Sequence, residues 1–215
     1  MKAGTLEGLR EAILEYSPDN AVKWAEKAVE EKLDPVKTLD VVTKALRKVG
    51  EDFGKGELWL PDLVGAADAA QAALPVIDKE IEKVGAKRKS AGKIVLGTVF
   101  GDIHDIGKAM VAALLRADGF IVVDLGINVP DTEFVKAIKE HKPDILAMSA
   151  LLTVTSFEMM KVMGTLAESG LRDKVKIMVG GGAITQEFAD VIGADGYEVS
   201  APRAVTLAKK LVGAK

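Results

Sequence analysis

The 215-residue chain has no cysteine, which excludes disulfides, iron–sulfur clusters and thiolate zinc sites. Histidine is nearly as scarce, with only His104 and His141. Aromatic residues make up 5% of the chain, so aliphatic side chains must carry most of a core drawn from 48% hydrophobic residues. There is no basic surplus: the formal charge of −3 argues against a general nucleic-acid binder. No apolar stretch approaches the about 18 residues of a membrane span, and the opening MKAGTLEGLREAILEY is charged and helical in pattern rather than signal-like. These absences predict a cytoplasmic protein with no nucleic-acid or membrane partner. Internal repeats and low-complexity segments are also lacking.

What is present divides into two halves of different period. Residues 1–88 read as helices throughout. LEGLREAILEY places apolar residues three and four apart, and Ser17, Pro18 and Asp19 are start signals for a second helix. DPVKTLDVVTKALRKVGEDFGKG runs apolar at helical spacing to Gly54 and Gly56. LPDLVGAADAAQAALPVIDKEIEKVGA is a fourth helical stretch, in which Pro75 is expected to kink the helix or end its first part. Four helices with short connections predict a small antiparallel bundle. GAKRKSAGK (85–93) reads as a linker and hinge, its basic run Lys87-Arg88-Lys89 as a solvated one.

Residues 89–215 change period. KIVLGTVF (93–100), FIVVDLG (120–126), DILAMSA (144–150) and VKIMVGG (175–181) are continuous apolar runs of strand length, and GADGYEV (193–199) adds a short fifth. They alternate with helical patterns at 107–118, 131–141, 156–170, 184–192 and 202–213. Strands apolar on both faces, alternating with helices, predict a doubly wound parallel sheet, an α/β domain of flavodoxin or Rossmann type. Ligands of such sheets bind at the carboxyl ends of the strands.

Three strand ends then draw attention. The first runs into GDIHDIGK (101–108), the third into SALLTVTSF (149–157), and the fourth into GGGAIT (180–185). Each has an ordinary explanation: a surface histidine, helix-capping hydroxyls, a tight turn. Together they form a spaced pattern. Asp102-x-His104-x-x-Gly107 is followed after 41 residues by Ser149-x-Leu151, and after 28 more by Gly180-Gly181. In that order and spacing the chain resembles the cobalamin-binding proteins of methyltransferase systems, including the cobalamin-binding module of methionine synthase. The likeness spans almost the whole chain, with the helical half matching the cap of that family.

The resemblance implies a role for each matching position. His104 would be the lower axial ligand of cobalt, replacing the corrinoid's own base in the base-off/His-on mode. Asp102 would hold its other ring nitrogen and take part in the accompanying proton movement. Thr155 stands where methionine synthase has serine and would complete the relay, although threonine is stiffer at χ1. The displaced nucleotide tail would pass Gly107, Ser149 and the turn at Gly180, Gly181 and Gly182. Asp105, Ile106 and Leu151 would line the cofactor, with Asp105 also capping the next helix, while Thr153 would touch the corrin and Ala201 the far end of the pocket. Phe53 and Leu60 match the apolar lid over the upper face, and Trp59 is either its neighbour or core. His141 is read as a helix C-terminal residue without a ligand role.

By this resemblance the chain would be a methyl carrier that accepts a methyl group on cobalt(I) and passes it on as methylcobalamin chemistry. Its partners would be a substrate-specific methyltransferase, a second methyltransferase with a thiol coenzyme or tetrahydrofolate acceptor, and a reductive activase. A chain of this length has no room for a substrate barrel of about 250 residues, so it is not expected to be a complete enzyme. The donor, whether methanol, a methylamine, glycine betaine or an aryl methyl ether, is not identified by the sequence. A B12-dependent sensor or regulator remains an alternative, although no histidine precedes His104 to make the light-sensing signature. The small subunit of an adenosylcobalamin mutase and a nucleotide-binding flavodoxin-like domain are further readings.

Overall fold

The computed structural model describes residues 2–86 and 90–213. Two compact units are present, one of residues 1–89 and 116–119, the other of residues 90–115 and 120–215. The basic run Lys87-Arg88-Lys89 of the expected hinge lies outside the described residues.

The first unit is made of α1 (Lys2–Leu14), α2 (Pro18–Glu30), α3 (Pro35–Gly54) and α4 (Leu60–Lys83). Asp34 caps α3, its side chain accepting from the Val36 and Lys37 amides, which satisfies donors that a helix start leaves orphaned. Ala66, Ala67, Ala69, Ala70 and Ala73 of α4 are buried, so small side chains let the helices approach closely. Gly8 of α1 serves the same end: a Cβ there would lie 2.4 Å from the Trp24 ring. Helix α4 continues through Pro75 instead of ending its first part there. Pro75 and Gln71 both lie on the exposed face, where water can take up the carbonyl that the proline leaves without a helical partner. Trp59, open in the sequence between lid and core, is 77% exposed and therefore not core.

The second unit alternates β1 (Lys93–Thr98), α5 (Ile106–Ala117), β2 (Ile121–Asp124), α6 (Asp131–His141), β3 (Ile145–Ser149), α7 (Thr153–Glu168), β4 (Lys176–Gly180), α8 (Gln186–Val191), β5 (Gly196–Tyr197) and α9 (Ala201–Leu211). The five strands pair in parallel in the order β2-β1-β3-β4-β5. Val95, Leu146, Met148, Ile177 and Val179 are all buried against helices, which accounts for the unbroken apolar runs. The order reverses direction between β1 and β3, so the loops leaving those two strands diverge and open a crevice at the carboxyl edge. The motif loop leaves β1 and the hydroxyl-rich loop leaves β3. Helix α7 begins at Thr153, three residues before the sequence pattern placed it. The hydroxyls that look like loop composition instead sit in its first turn: Ser156 Oγ donates to the Thr153 carbonyl at 2.7 Å, and Thr155 Oγ1 lies 2.9 Å from the Leu152 carbonyl. His141 is the last residue of α6, as its sequence position implies.

Candidate functional site

Asp102 is the centre of the carboxyl edge. It follows β1 by four residues and is 0% exposed. A carboxylate so deeply buried is costly unless every lone pair finds a donor. Asp102 has five: Oδ1 accepts from the His104 amide (3.0 Å) and lies 2.7 Å from His104 Nδ1. Its Oδ2 accepts from Thr155 Oγ1 (2.6 Å), the Leu151 amide (2.8 Å) and, at 3.4 Å, the Leu152 amide. Burial acts to raise the Asp102 pKa, but the bonds from Thr155, from the amide and ring of His104, and from Leu151 outweigh it. They hold the carboxyl well below the usual carboxylate range. The β1 and β3 loops are thus joined through one ionised carboxylate.

That charge fixes the imidazole. With Asp102 ionised, Nδ1 is the nitrogen that donates to it, and in the neutral ring the lone pair is then on Nε2. The His104 side chain is 45% exposed, so Nε2 is the ring nitrogen left to an outside ligand. The backbone around it is tied down equally. Thr98 Oγ1 donates to the His104 carbonyl at 3.1 Å, the Gly101 amide donates to Asn128 Oδ1 at 2.7 Å, and the Asn128 amide donates to the Asp102 carbonyl at 3.0 Å. Just beyond, Lys108 of α5 is buried with Nζ 2.6 Å from both oxygens of Asp124 at the end of β2.

The surroundings of His104 are apolar and open. Ile103 is 69% exposed and Ile106 68%, and Phe100, Leu151, Leu152 and Val154 are exposed with them. So many large apolar side chains in water at one sheet edge mark a surface that binds something apolar. A Cβ at Gly107 would meet nothing within 4 Å, which leaves space beside the loop. The glycine triplet is different. A Cβ on Gly181 (φ +121°) would lie 2.1 Å from the Ala150 carbonyl oxygen, and one on Gly182 would lie 2.7 Å from the Leu151 side chain. The β3 backbone therefore requires glycine at 181, whereas a side chain at 182 would have to displace only the tip of Leu151. Asp105 receives the Ala109 amide on its main-chain carbonyl, Ser149 ends β3 opposite Thr98, Thr153 opens α7, and Ala201 is a buried residue opening α9. Phe53 and Leu60 are half-buried residues of the helical unit, at the end of α3 and the start of α4.

Asp102, His104 and Thr155 are thus brought into direct contact. Thr98 and Asn128 escaped the sequence reading. Thr98 left a signal there, as the hydroxyl in the otherwise apolar run KIVLGTVF. Asn128 left none, because its role depends on a left-handed backbone (φ +54°) that turns it back towards β1.

The donor set fits a corrinoid. Among the described residues no cluster of three or more His, Cys, Asp or Glu could hold a metal ion. One outward imidazole nitrogen in an apolar surround suits a metal whose other positions are filled by its own macrocycle. Likewise, no described helix is long and apolar enough to cross a membrane.

Comparisons with known proteins agree. A family model described as "B12 binding domain" matches residues 92–206, and a second of the same description matches residues 5–77. The trimethylamine corrinoid protein of Methanosarcina barkeri is 44% identical over 201 residues, 93% of each chain. A corrinoid protein of Desulfitobacterium hafniense is 42% identical over 210 residues, 97% of each. Among solved structures, the methanol:cobalamin methyltransferase complex of Methanosarcina barkeri matches with a TM-score of 0.84 at 32% identity, covering 100% of this chain and 82% of that one. A parallel-sheet crevice with a carboxylate-held histidine at its mouth, matched along nearly its whole length by such relatives, belongs to the corrinoid proteins of methyltransferase systems.

Proposed function

We propose that the protein is a methyl carrier that binds cobalamin at the carboxyl edge of its sheet and works with partner methyltransferases. The observation that carries this reading is the Thr155–Asp102–His104 chain, which leaves Nε2 as the one ring nitrogen open to a ligand. When bound, the corrinoid supplies a cobalt centre able to take up and give up a methyl group. The protein's part is to hold that centre. His104 would hold the cobalt through Nε2, the base-off/His-on mode, with Asp102 fixing its tautomer and raising its basicity. Thr155, with its hydroxyl on Oδ2, keeps Asp102 from turning away from the ring. Asp102 is also the group in contact with the Nδ1 proton, so any proton change at the ring is felt there first. The open space beside Gly107, together with Ser149, is assigned to the displaced nucleotide tail. The apolar side chains around His104 would hold the macrocycle and exclude water from it.

In this reading a substrate-specific methyltransferase delivers the methyl group. A second one passes it to a thiol or tetrahydrofolate acceptor, and a reductase restores the cofactor after oxidation. Two donor classes are candidates: a methylated amine, by the 44% identity to a trimethylamine corrinoid protein, and methanol, by the TM-score of 0.84 to the methanol complex. The test is transfer of labelled methyl from trimethylamine, dimethylamine or methanol to a thiol acceptor, with the two methyltransferases present and this protein added or withheld. Transfer from one of these donors that requires the protein, and fails with His104→Ala, is expected. Binding of cobalamin without transfer from any donor would favour the sensor alternative.

A further inference from the structure

We infer that Thr98 is a positioning residue for the axial ligand: its hydroxyl, anchored in β1, sets where His104 stands. The inference rests on His104 being the axial donor. Three polar groups of His104 are tied to the protein, and two of them, the amide and Nδ1, go to Asp102. The third, the carbonyl, is held by Thr98 Oγ1 at 3.1 Å. Among these ties Thr98 alone is independent of Asp102, the group that must adjust whenever the ring changes its bonding.

Thr98 is well placed for that duty. It is 0% exposed and is the last residue of β1, the strand flanked by β2 and β3. Its amide donates to the Gly126 carbonyl at 3.0 Å, and its own carbonyl accepts from the Val129 amide at 3.0 Å. Both of its main-chain groups are therefore locked to the segment leaving β2, and its Cα pairs with that of Ser149 in β3. A hydroxyl on so fixed a base holds the His104 main chain still while the ring binds or lets go. The partner that the hydroxyl takes is the His104 carbonyl, six residues further along the chain. Valine matches threonine closely in shape but removes the donor, whereas serine keeps it.

The test reads the strength of the axial bond without turnover. Proteins reconstituted with aquocobalamin are titrated with cyanide, and the concentration that displaces half of the axial histidine is read from the absorption spectrum. Thr98→Val should lower that concentration about fivefold, as expected for one lost hydrogen bond, and Thr98→Ser should stay near wild type. Thermal unfolding of the apoproteins is followed alongside; if Thr98→Val does not fold, Thr98→Ala is read in the same way. Unchanged displacement in the donor-less variant, with His104→Ala strongly shifted, would overturn the inference alone. If His104→Ala is displaced at the wild-type concentration, the ligand assignment itself fails and the inference with it.

Discussion

The two edges of the parallel sheet each centre on an aspartate, and they use it in opposite ways. At the amino edge Asp195 accepts from the Ile177 amide at 2.8 Å and pairs with Arg172 and Lys176, each at 3.0 Å. Burial acts to raise its pKa, and the Ile177, Lys176 and Arg172 contacts bring it below the ordinary value. All its partners are fixed and the arrangement is closed. At the carboxyl edge Asp102 is more deeply buried and has no lysine or arginine among its donors. Its charge is balanced by amides, one hydroxyl and a ring whose far nitrogen is uncommitted. The first aspartate staples a loop to a strand. The second keeps a charge available beside a ligand, and a full cationic partner there would remove its hold on the imidazole.

The comparison breaks most visibly on substitution of each aspartate by asparagine. Asp102→Asn presents an NH₂ group to donors that need an acceptor, and should cost the apoprotein about 2–4 kcal/mol in denaturant unfolding. Asp195→Asn keeps an acceptor for Ile177 and loses only partly exposed ion pairs, so about 1 kcal/mol or less is expected. Acid sharpens the contrast. A carboxyl whose pKa is lowered on folding contributes stability that is present above its unfolded pKa of about 3.9 and is lost as pH falls below it. Wild-type stability should therefore drop below about pH 4, and Asp102→Asn should flatten that drop more than Asp195→Asn. Equal effects of the two substitutions would erase the distinction between the edges.

A smaller effect is expected at the ligand itself. The His104 ring is 45% exposed, and its removal leaves Asp102 with its amide and hydroxyl donors. His104→Ala should cost the apoprotein about 1 kcal/mol, since water can reach the exposed side of the lost bond. A loss several times larger would mean that the ring is chiefly a structural brace.

Much of the fold can be read directly from the chain because the physics is local. Continuous runs such as KIVLGTVF and DILAMSA suit only strands covered on both faces, and their alternation with helices dictates parallel pairing. The site is legible differently. Nothing in the local chemistry of Asp102, Ser149 or Gly180 announces a cofactor; their spacing does, through likeness to a family. Features that depend on distant contacts stayed hidden. Gly181 is required by the Ala150 carbonyl, 31 residues away in sequence, not by any visible turn pattern. Pro75 signals a break, yet an exposed face lets the helix absorb it. Trp59 is open between lid and core by residue type, and the structure puts it in water at the start of α4.

The central claim is that Nε2 of His104 is the axial nitrogen of the bound corrinoid. It is tested most directly by electron paramagnetic resonance of the cobalt(II) holoprotein, prepared with ordinary and with ¹⁵N-labelled histidine. Labelling should convert the threefold superhyperfine splitting from the axial nitrogen into a twofold one, and His104→Ala should abolish the effect. A splitting indifferent to histidine labelling would place the corrinoid's own base on the metal and contradict the role assigned to His104.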